Sequence, residues 1–354
     1  MIDRFIIYGA NGFTGRLVAE RAQELGLDPI VAGRNASAIE PLARRLGFEH
    51  RVFDLDSAAS VEAGIRGVAA VLHCAGPYSR TSRPMVDACL ATRTHYLDIT
   101  GEASVLEAVL SRNEAARAAG IVLLPAVGFD VVPTDCLAMR LKNELPSATA
   151  LELAFTAGLV PSAGTAKTTV ENLHVGQRVR RNGALVSLGK PIVREIPFPG
   201  GKRLAMSIPW GDLVTAFHST RIPNITVYME APKAVVRAAS FLGILAPLLR
   251  REGVIRMLQK QAEKRARGPS ERQRRTVRVS IWGRVEDANG AALEGNLEIP
   301  EGYELTVRSS LESVKRVVAG EVPPGATTPS LAFGAEFVTS LPGVTPFRVA
   351  RPER

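Results

Sequence analysis

The chain has 354 residues, of which 46% are hydrophobic and 5% aromatic, and a formal net charge of +9 from 44 Lys and Arg against 35 Asp and Glu. That length suggests two domains with largely aliphatic cores. Three cysteines, Cys74, Cys89 and Cys136, lack any CxxC spacing. They speak against a disulfide framework or a metal site and for a reducing, cytoplasmic setting.

From the N-terminus, short apolar runs alternate with helical patterns. Strands are expected at Phe5–Tyr8, Pro29–Ala32, His50–Phe53, Ala69–Cys74, His95–Asp98 and Ile121–Leu124. Helices are expected between them at Phe13–Leu25, Ser37–Leu46, Ser57–Gly64, Arg83–Ala91 and Ser104–Ala119. This alternation predicts an α/β fold, a Rossmann-type doubly wound parallel sheet over residues 1–146. A helix at Val132–Leu145, with Pro133 in its first turn, closes that stretch. After Pro146 the texture changes, with strands expected at Ala150–Thr156, Thr226–Glu230, Arg275–Val285 and Leu293–Ile299. Asn289-Gly290 marks a hairpin turn between the last two. These predict a second, α+β domain over 147–325, with a mixed or antiparallel sheet, for substrate binding or dimerisation. Residues 326–354 are expected to pack back on the body. No apolar run reaches the roughly 18–20 residues of a spanning helix, and the opening MIDRFIIYGANG reads as strand and turn rather than a secretory leader.

The strongest motif is Gly9-Ala10-Asn11-Gly12-Phe13-Thr14-Gly15, placed between a buried strand and a helix. Gly9 permits a tight exit from the strand. Gly12 lets backbone N–H groups approach a pyrophosphate, and Gly15 lets the helix lie close to the sheet. The anion then rests on the helix N-terminus. At the end of the second strand, NAD-preferring sites place an Asp or Glu, whereas this chain has Gly33-Arg34-Asn35. The Arg34 guanidinium suits a 2′-phosphate, so the expected cofactor is NADP(H). Asp54 lies where adenine commonly sits, and equally suits a helix cap. Ala75-Gly76-Pro77-Tyr78 ends the fourth strand as a rigid ledge on the nicotinamide side, with Tyr78 either a donor beside the ring or a packed aromatic.

Five segments, Tyr8–Gly15, Ala32–Arg34, His73–Tyr78, His95–Glu102 and Val127–Asp135, together resemble the saccharopine dehydrogenase-like family, and within it the trans-acting enoyl reductase branch. The resemblance covers residues 1–145 and returns weakly near Phe333–Glu336. It implies a Rossmann domain with an α+β domain, NADPH and substrate lying in the cleft between, and reduction of a C=N or C=C bond. Substrate identity does not transfer with it.

Tyr78, Asp98 and Glu102 are the candidate catalytic residues. Asp98 and Glu102 end the fifth strand, where they would hold substrate or supply a proton, or else serve as caps. Gly101, Phe129 and Asp130 are candidate substrate contacts. His73, within a strand, reads as packed. None of the five tyrosines carries a Lys four residues on, so the short-chain dehydrogenase pair is missing. Because the cofactor supplies the hydride, a strong acid–base dyad is not required. The contrasting reading is a non-catalytic NADP(H)-binding sensor or scaffold.

Residues 234–278 join an apolar stretch to a run of Arg and Lys. That pattern fits a peripheral membrane contact, a lid over a lipid-like substrate, a homodimer interface, or a buried helix followed by a solvated one. Nucleic acid is not expected, because no aromatic interleaving or reading motif accompanies the charge.

Overall fold

A computed structural model describes residues 4–157, 160–172, 176–242 and 266–352, with Gly253, Met257 and Gln261. Of the apolar and basic stretch singled out at 234–278, residues 243–252, 254–256, 258–260 and 262–265 lie outside the described residues. No helix among the described residues is long and apolar enough to cross a membrane.

The chain folds into two compact units: residues 1–129 with 303–333, and residues 130–302 with 334–354. In the first, strands β1 (Phe5–Tyr8), β2 (Ile30–Gly33), β3 (His50–Val52), β4 (Ala70–His73), β5 (His95–Asp98) and β6 (Val122–Leu124) alternate with helices. The helices are α1 (Phe13–Glu24), α2 (Ala36–Leu46), α3 (Ala58–Ile65), α4 (Tyr78–Thr92), α5 (Ala103–Leu110) and α6 (Asn113–Ala119). The strands form one parallel sheet in the order β6-β5-β4-β1-β2-β3, with a short seventh strand, Gly325–Ala326, beside β6. The doubly wound Rossmann sheet expected from the alternation is therefore present. Two helices differ from expectation. α4 begins at Tyr78, ahead of the expected Arg83, and the single helix expected at Ser104–Ala119 breaks at Ser111-Arg112 into α5 and α6.

The sheet buries β1, β2 and β4 completely, which explains why these strands read as unbroken apolar runs. Their core is completed from far along the chain. Val307, Leu311, Val314 and Val317 of the Gly302–Val318 helix pack with Ile7, Val18, Leu72 and Leu97. The sequence alone places 303–325 in the second domain. The helix sits in the first unit because its apolar face completes that unit's core.

The second unit holds a mixed sheet built from β7 (Ala148–Phe155), β8 (Gln177–Arg181), β9 (Ala184–Leu188), β10 (Val193–Phe198), β11 (Gly201–Ser207), β12 (Asn224–Glu230), β13 (Arg278–Asp287) and β14 (Ala292–Pro300). Its main order is β10-β11-β12-β7-β13-β14, then Arg348–Ala350 at the edge, with β8 and β9 branching from β12. Among the described residues only β12 and β7 run parallel in this sheet; the other pairs are antiparallel. β13 and β14 pair across the Asn289-Gly290 turn as expected.

Helix α7 (Val132–Glu144) also belongs to this unit, although the sequence reading closes the first domain at 146. The reason is steric. A side chain at Gly283 or Gly295 would meet Leu137 and Leu141 at 2.9–3.1 Å, so these bare strand positions seat α7 directly on the sheet. Leu137→Ala should therefore destabilise the protein by about 2–5 kcal/mol in denaturant titrations. A loss below about 1 kcal/mol would show that the helix is not seated there.

Candidate functional site

The phosphate-binding turn sits at the carboxyl end of β1, the position at which open α/β sheets take ligands. Gly9 leaves β1 with φ +83°, and its N–H donates to Ala32 O at 2.8 Å. A Cβ at Gly9 would lie 2.8 Å from the Ala75 Cβ, so the turn abuts the end of β4 with no room for a side chain. A Cβ at Gly15 would lie 2.3 Å from Gly9 O. Gly12 is the N-cap of α1 and makes no side-chain cap, and the first turn of a helix leaves its N–H groups without intrahelical partners. Asn11 and Gly12 are exposed, while Phe13 and Thr14 are half-buried. The Phe13 ring meets Tyr303 edge-on at 4.9 Å.

Two neighbouring helix N-termini are filled from within the protein. Asn35 caps α2 by accepting from the Ser37 N–H at 3.1 Å. The Glu102 carboxylate accepts from Tyr78 N at 2.9 Å and Ser79 N at 3.0 Å, closing the N-terminus of α4. α1 differs in that no side chain caps it. Its positive end lies at the glycine turn, where it can take an external anion.

At the end of β2, a Cβ on Gly33 would lie 3.0 Å from the Asn11 Oδ1, so a bare position there lets the two loops converge. Arg34 is exposed beside them, with no ion pair among the described residues. Asp54 is exposed and accepts from Asp56 N at 3.1 Å, forming a turn ahead of α3, whose N-cap is Ser57. Arg34, Asp54 and Asp56 all act electrostatically on Tyr8. Burial is the larger effect on its hydroxyl, pushing it up to about 12, and the hydroxyl donates to Phe53 O at 3.1 Å.

The ledge Ala75-Gly76-Pro77 is pinned from beneath. The Thr81 hydroxyl bonds Ala75 O at 2.6 Å and Pro77 O at 3.1 Å. Tyr78 opens α4 with its hydroxyl on His73 O at 3.1 Å and its ring edge-on to His73 at 5.4 Å. His73 is fully buried and held neutral, its pKa pulled down to about 3 by desolvation. It is packed, as its place in a strand suggested.

Asp98 is also fully buried. Its carboxylate accepts from Tyr96 Oη at 2.6 Å, Thr100 N at 3.0 Å and Ala126 N at 2.8 Å. Desolvation outweighs these donors and raises its pKa to about 6. Asp98 thus ties the end of β5 to its own turn and to the loop after β6. Gly101 lies in that turn, half-buried. Phe129 ends the loop after β6, its N–H held by Thr306 Oγ1 at 2.9 Å, and Ser309 Oγ donates to Val127 O at 2.6 Å. The structure thus brings together the glycine turn, Arg34, Asp54, the Ala75–Tyr78 ledge and the Asp98–Glu102 turn on one rim of one sheet. Asp130 falls in the second unit, near Asp135 and Asp212, and precedes Val131, the N-cap of α7. Thr306 and Ser309 are the residues that sequence reasoning missed. Their signal was the apolar spacing Val307, Leu311, Val314, Val318 of a further helix.

This is the geometry of a dinucleotide-binding domain, and the comparisons with known proteins specify it further. Residues 5–124 match the saccharopine dehydrogenase NADP binding domain family. This segment of the N-terminal unit thus matches an NADP-binding domain of the saccharopine dehydrogenase type. The chain is 29% identical over 162 residues to a saccharopine dehydrogenase-like oxidoreductase of Rattus norvegicus, covering 40% of this chain and 38% of that protein. It is 33% identical over 138 residues to a trans-acting enoyl reductase of Mycobacterium leprae, covering 37% and 33% respectively. The matched segment therefore spans less than two fifths of either relative. An apo saccharopine dehydrogenase (L-Glu forming) from Saccharomyces cerevisiae shares the fold at a TM-score of 0.67 and 11% identity, over 98% of this chain and all of that one.

The Asp98 brace carries a pH prediction. Its folded pKa lies above the ordinary 3.8, so its ionisation opposes folding. Its contribution is full below about 4 and is lost as pH rises through about 6. Asp98→Asn keeps an acceptor for both amides and a donor for Tyr96 Oη, so it should fold and show no such decline in stability between those pH values. Asp98→Ala leaves two buried N–H groups unpaired and should cost on the order of 3 kcal/mol. Equal stability of the two variants in denaturant titrations would refute the brace.

Proposed function

We propose that the protein is an NADPH-dependent reductase that transfers hydride to a C=C or C=N bond. The observation that carries this is the open N-terminus of α1 beside the exposed Arg34, which has no ion pair among the described residues, within a segment that matches an NADP-binding domain. The residues present fit that cofactor. The bare positions Gly9, Gly12 and Gly15 leave the backbone amides of the turn unshielded for a pyrophosphate. Arg34 would pair with the 2′-phosphate, and Asn11 and Asp54 would face the adenosine. When bound, the cofactor supplies the hydride, and the protein orients it. The pinned ledge Ala75–Tyr78 would present a rigid surface to the nicotinamide, while Gly101, Phe129 and Asp130 would contact substrate.

A lipid-like enoyl substrate is favoured by the likeness to a protein named trans-acting enoyl reductase. The C=N alternative draws on the family's saccharopine chemistry. One observation favours a second reading, an NADP(H)-binding sensor or scaffold without turnover. The side chains of Tyr78, Asp98 and Glu102 are all engaged in bonds that hold the rim together. Under the reductase reading these groups position the ledge, and the proton comes from substrate or water.

Arg34→Ala should weaken NADPH binding about 10–100-fold and leave NADH binding within about twofold, the loss of one charge-assisted phosphate pair. Fluorescence titration with both nucleotides measures this, and equal loss for both would overturn the Arg34 assignment. NADPH consumption across enoyl and imine substrates separates the two readings, because the sensor binds NADPH without consuming it.

A further inference from the structure

The face of the second unit's sheet turned away from α7 holds a pocket of about 410 Å³ that the reductase reading does not use. Side chains alternate across a strand, so Gly283 beneath α7 puts Arg284 on the opposite face. Register then brings Glu152 beside Arg284, and Thr226 beside Glu152. Arg181, Arg194 and Glu286 complete the charged lining, three guanidinium groups against two carboxylates.

The pairing inside the pocket is unequal. Arg194 pairs with Glu152, which also accepts from Tyr228 Oη at 3.1 Å. Arg284 pairs with Glu286 at 2.7 Å. Arg181 has no carboxylate partner among the described residues. Its guanidinium is held by neutral oxygens: Arg180 O at 2.8 Å, Thr226 Oγ1 at 3.0 Å and Ile225 O at 3.4 Å. Thr226 accepts in that contact, which leaves its own proton to donate. The Arg284 Nε is enclosed and makes no hydrogen bond among the described residues. Each carboxylate in the pocket faces its own guanidinium, so the uncompensated positive charge falls on Arg181, with further donor capacity at Thr226 and the Arg284 Nε. A half-buried guanidinium fixed by carbonyl oxygens is a preorganised oxyanion receptor.

We propose that this pocket is a second ligand site, distinct from the NADP(H) site, which binds a small oxyanion, a carboxylate or a phosphate group, on Arg181 and Thr226. Glu152 and Glu286 flank the receptor. The volume admits an organic molecule carrying the anionic group rather than a bare ion alone.

Isothermal titration of the full-length protein, saturated with NADPH, tests this with glutarate and inorganic phosphate as separate probes. At least one probe should bind more tightly than about 1 mM, and which one binds identifies the anion as carboxylate or phosphate. Arg181→Gln should weaken that binding tenfold or more. Thr226→Val keeps the guanidinium and its carbonyl contacts, and should weaken binding several-fold should the arginine variant fail to fold. NADPH affinity should be unchanged in both, which separates this site from the proposed reductase site. Absence of binding by either probe, or wild-type binding in the folded variants, overturns the proposal.

Discussion

Close approach of backbone to backbone at the strand ends is the constraint on which the N-terminal unit depends. Gly9 lies against Ala75, and Gly15 lies against Gly9 O, at separations that no side chain can occupy. These contacts set where α1 starts and how near its N-terminus comes to the sheet. An α-helix end carries roughly half a positive charge and unpaired N–H groups. At α2 and α4 the protein supplies the acceptor itself, through Asn35 and Glu102. At α1 it does not.

Two buried carboxylates then fix the rest of the rim. Glu102 bonds successive amides at the start of α4, an interaction strengthened by its charge and by the helix dipole. Asp98 draws Tyr96, Thr100 and Ala126 onto one group. Removing one partner from such a network leaves unpaired polar groups in a low-dielectric interior. These carboxylates therefore hold the geometry, and a hydride carrier oriented by that geometry needs little further chemistry from the protein. This also explains why the turn His95–Glu102 looks like an active-site motif in the sequence. Its acidic residues are fixed in place by the same rim that a cofactor would touch.

The sequence was most legible where one segment carries its whole explanation. β1 starts and stops where its apolar run does, because it is buried on both faces and is followed at once by the Gly9 turn. The glycine turn was legible because its spacing encodes a steric requirement. The start of α4 was not legible, because Glu102, far along the chain, holds its N-terminus in place of a local cap. The roles of Asp98 and Glu102 were equally hidden, since a carboxylate that bonds buried amides and one that faces substrate have the same local sequence. Hairpins β8–β9 and β10–β11 are hidden in the sequence because these short strands, several of them interrupted by charged residues, lack a sustained apolar alternation.

The division into units shows how a family match can be narrower than the physical unit it describes. Residues 5–124 carry four of the five recognisable segments, yet the core under them is not closed by those residues. Val307, Leu311 and Val314 are buried with Ile7, Leu72 and Leu97. Thr306 and Ser309 from the same helix hold the loop after β6 by its backbone. Gly325–Ala326 adds the last parallel strand, on β6. Apolar side chains left without this cover would expose a continuous patch, and the Val127–Phe129 backbone would lose its partners. The nucleotide-binding unit is therefore complete only once the chain has built the second sheet and returned. The rim geometry that would orient a cofactor depends in part on residues that contain none of its motifs.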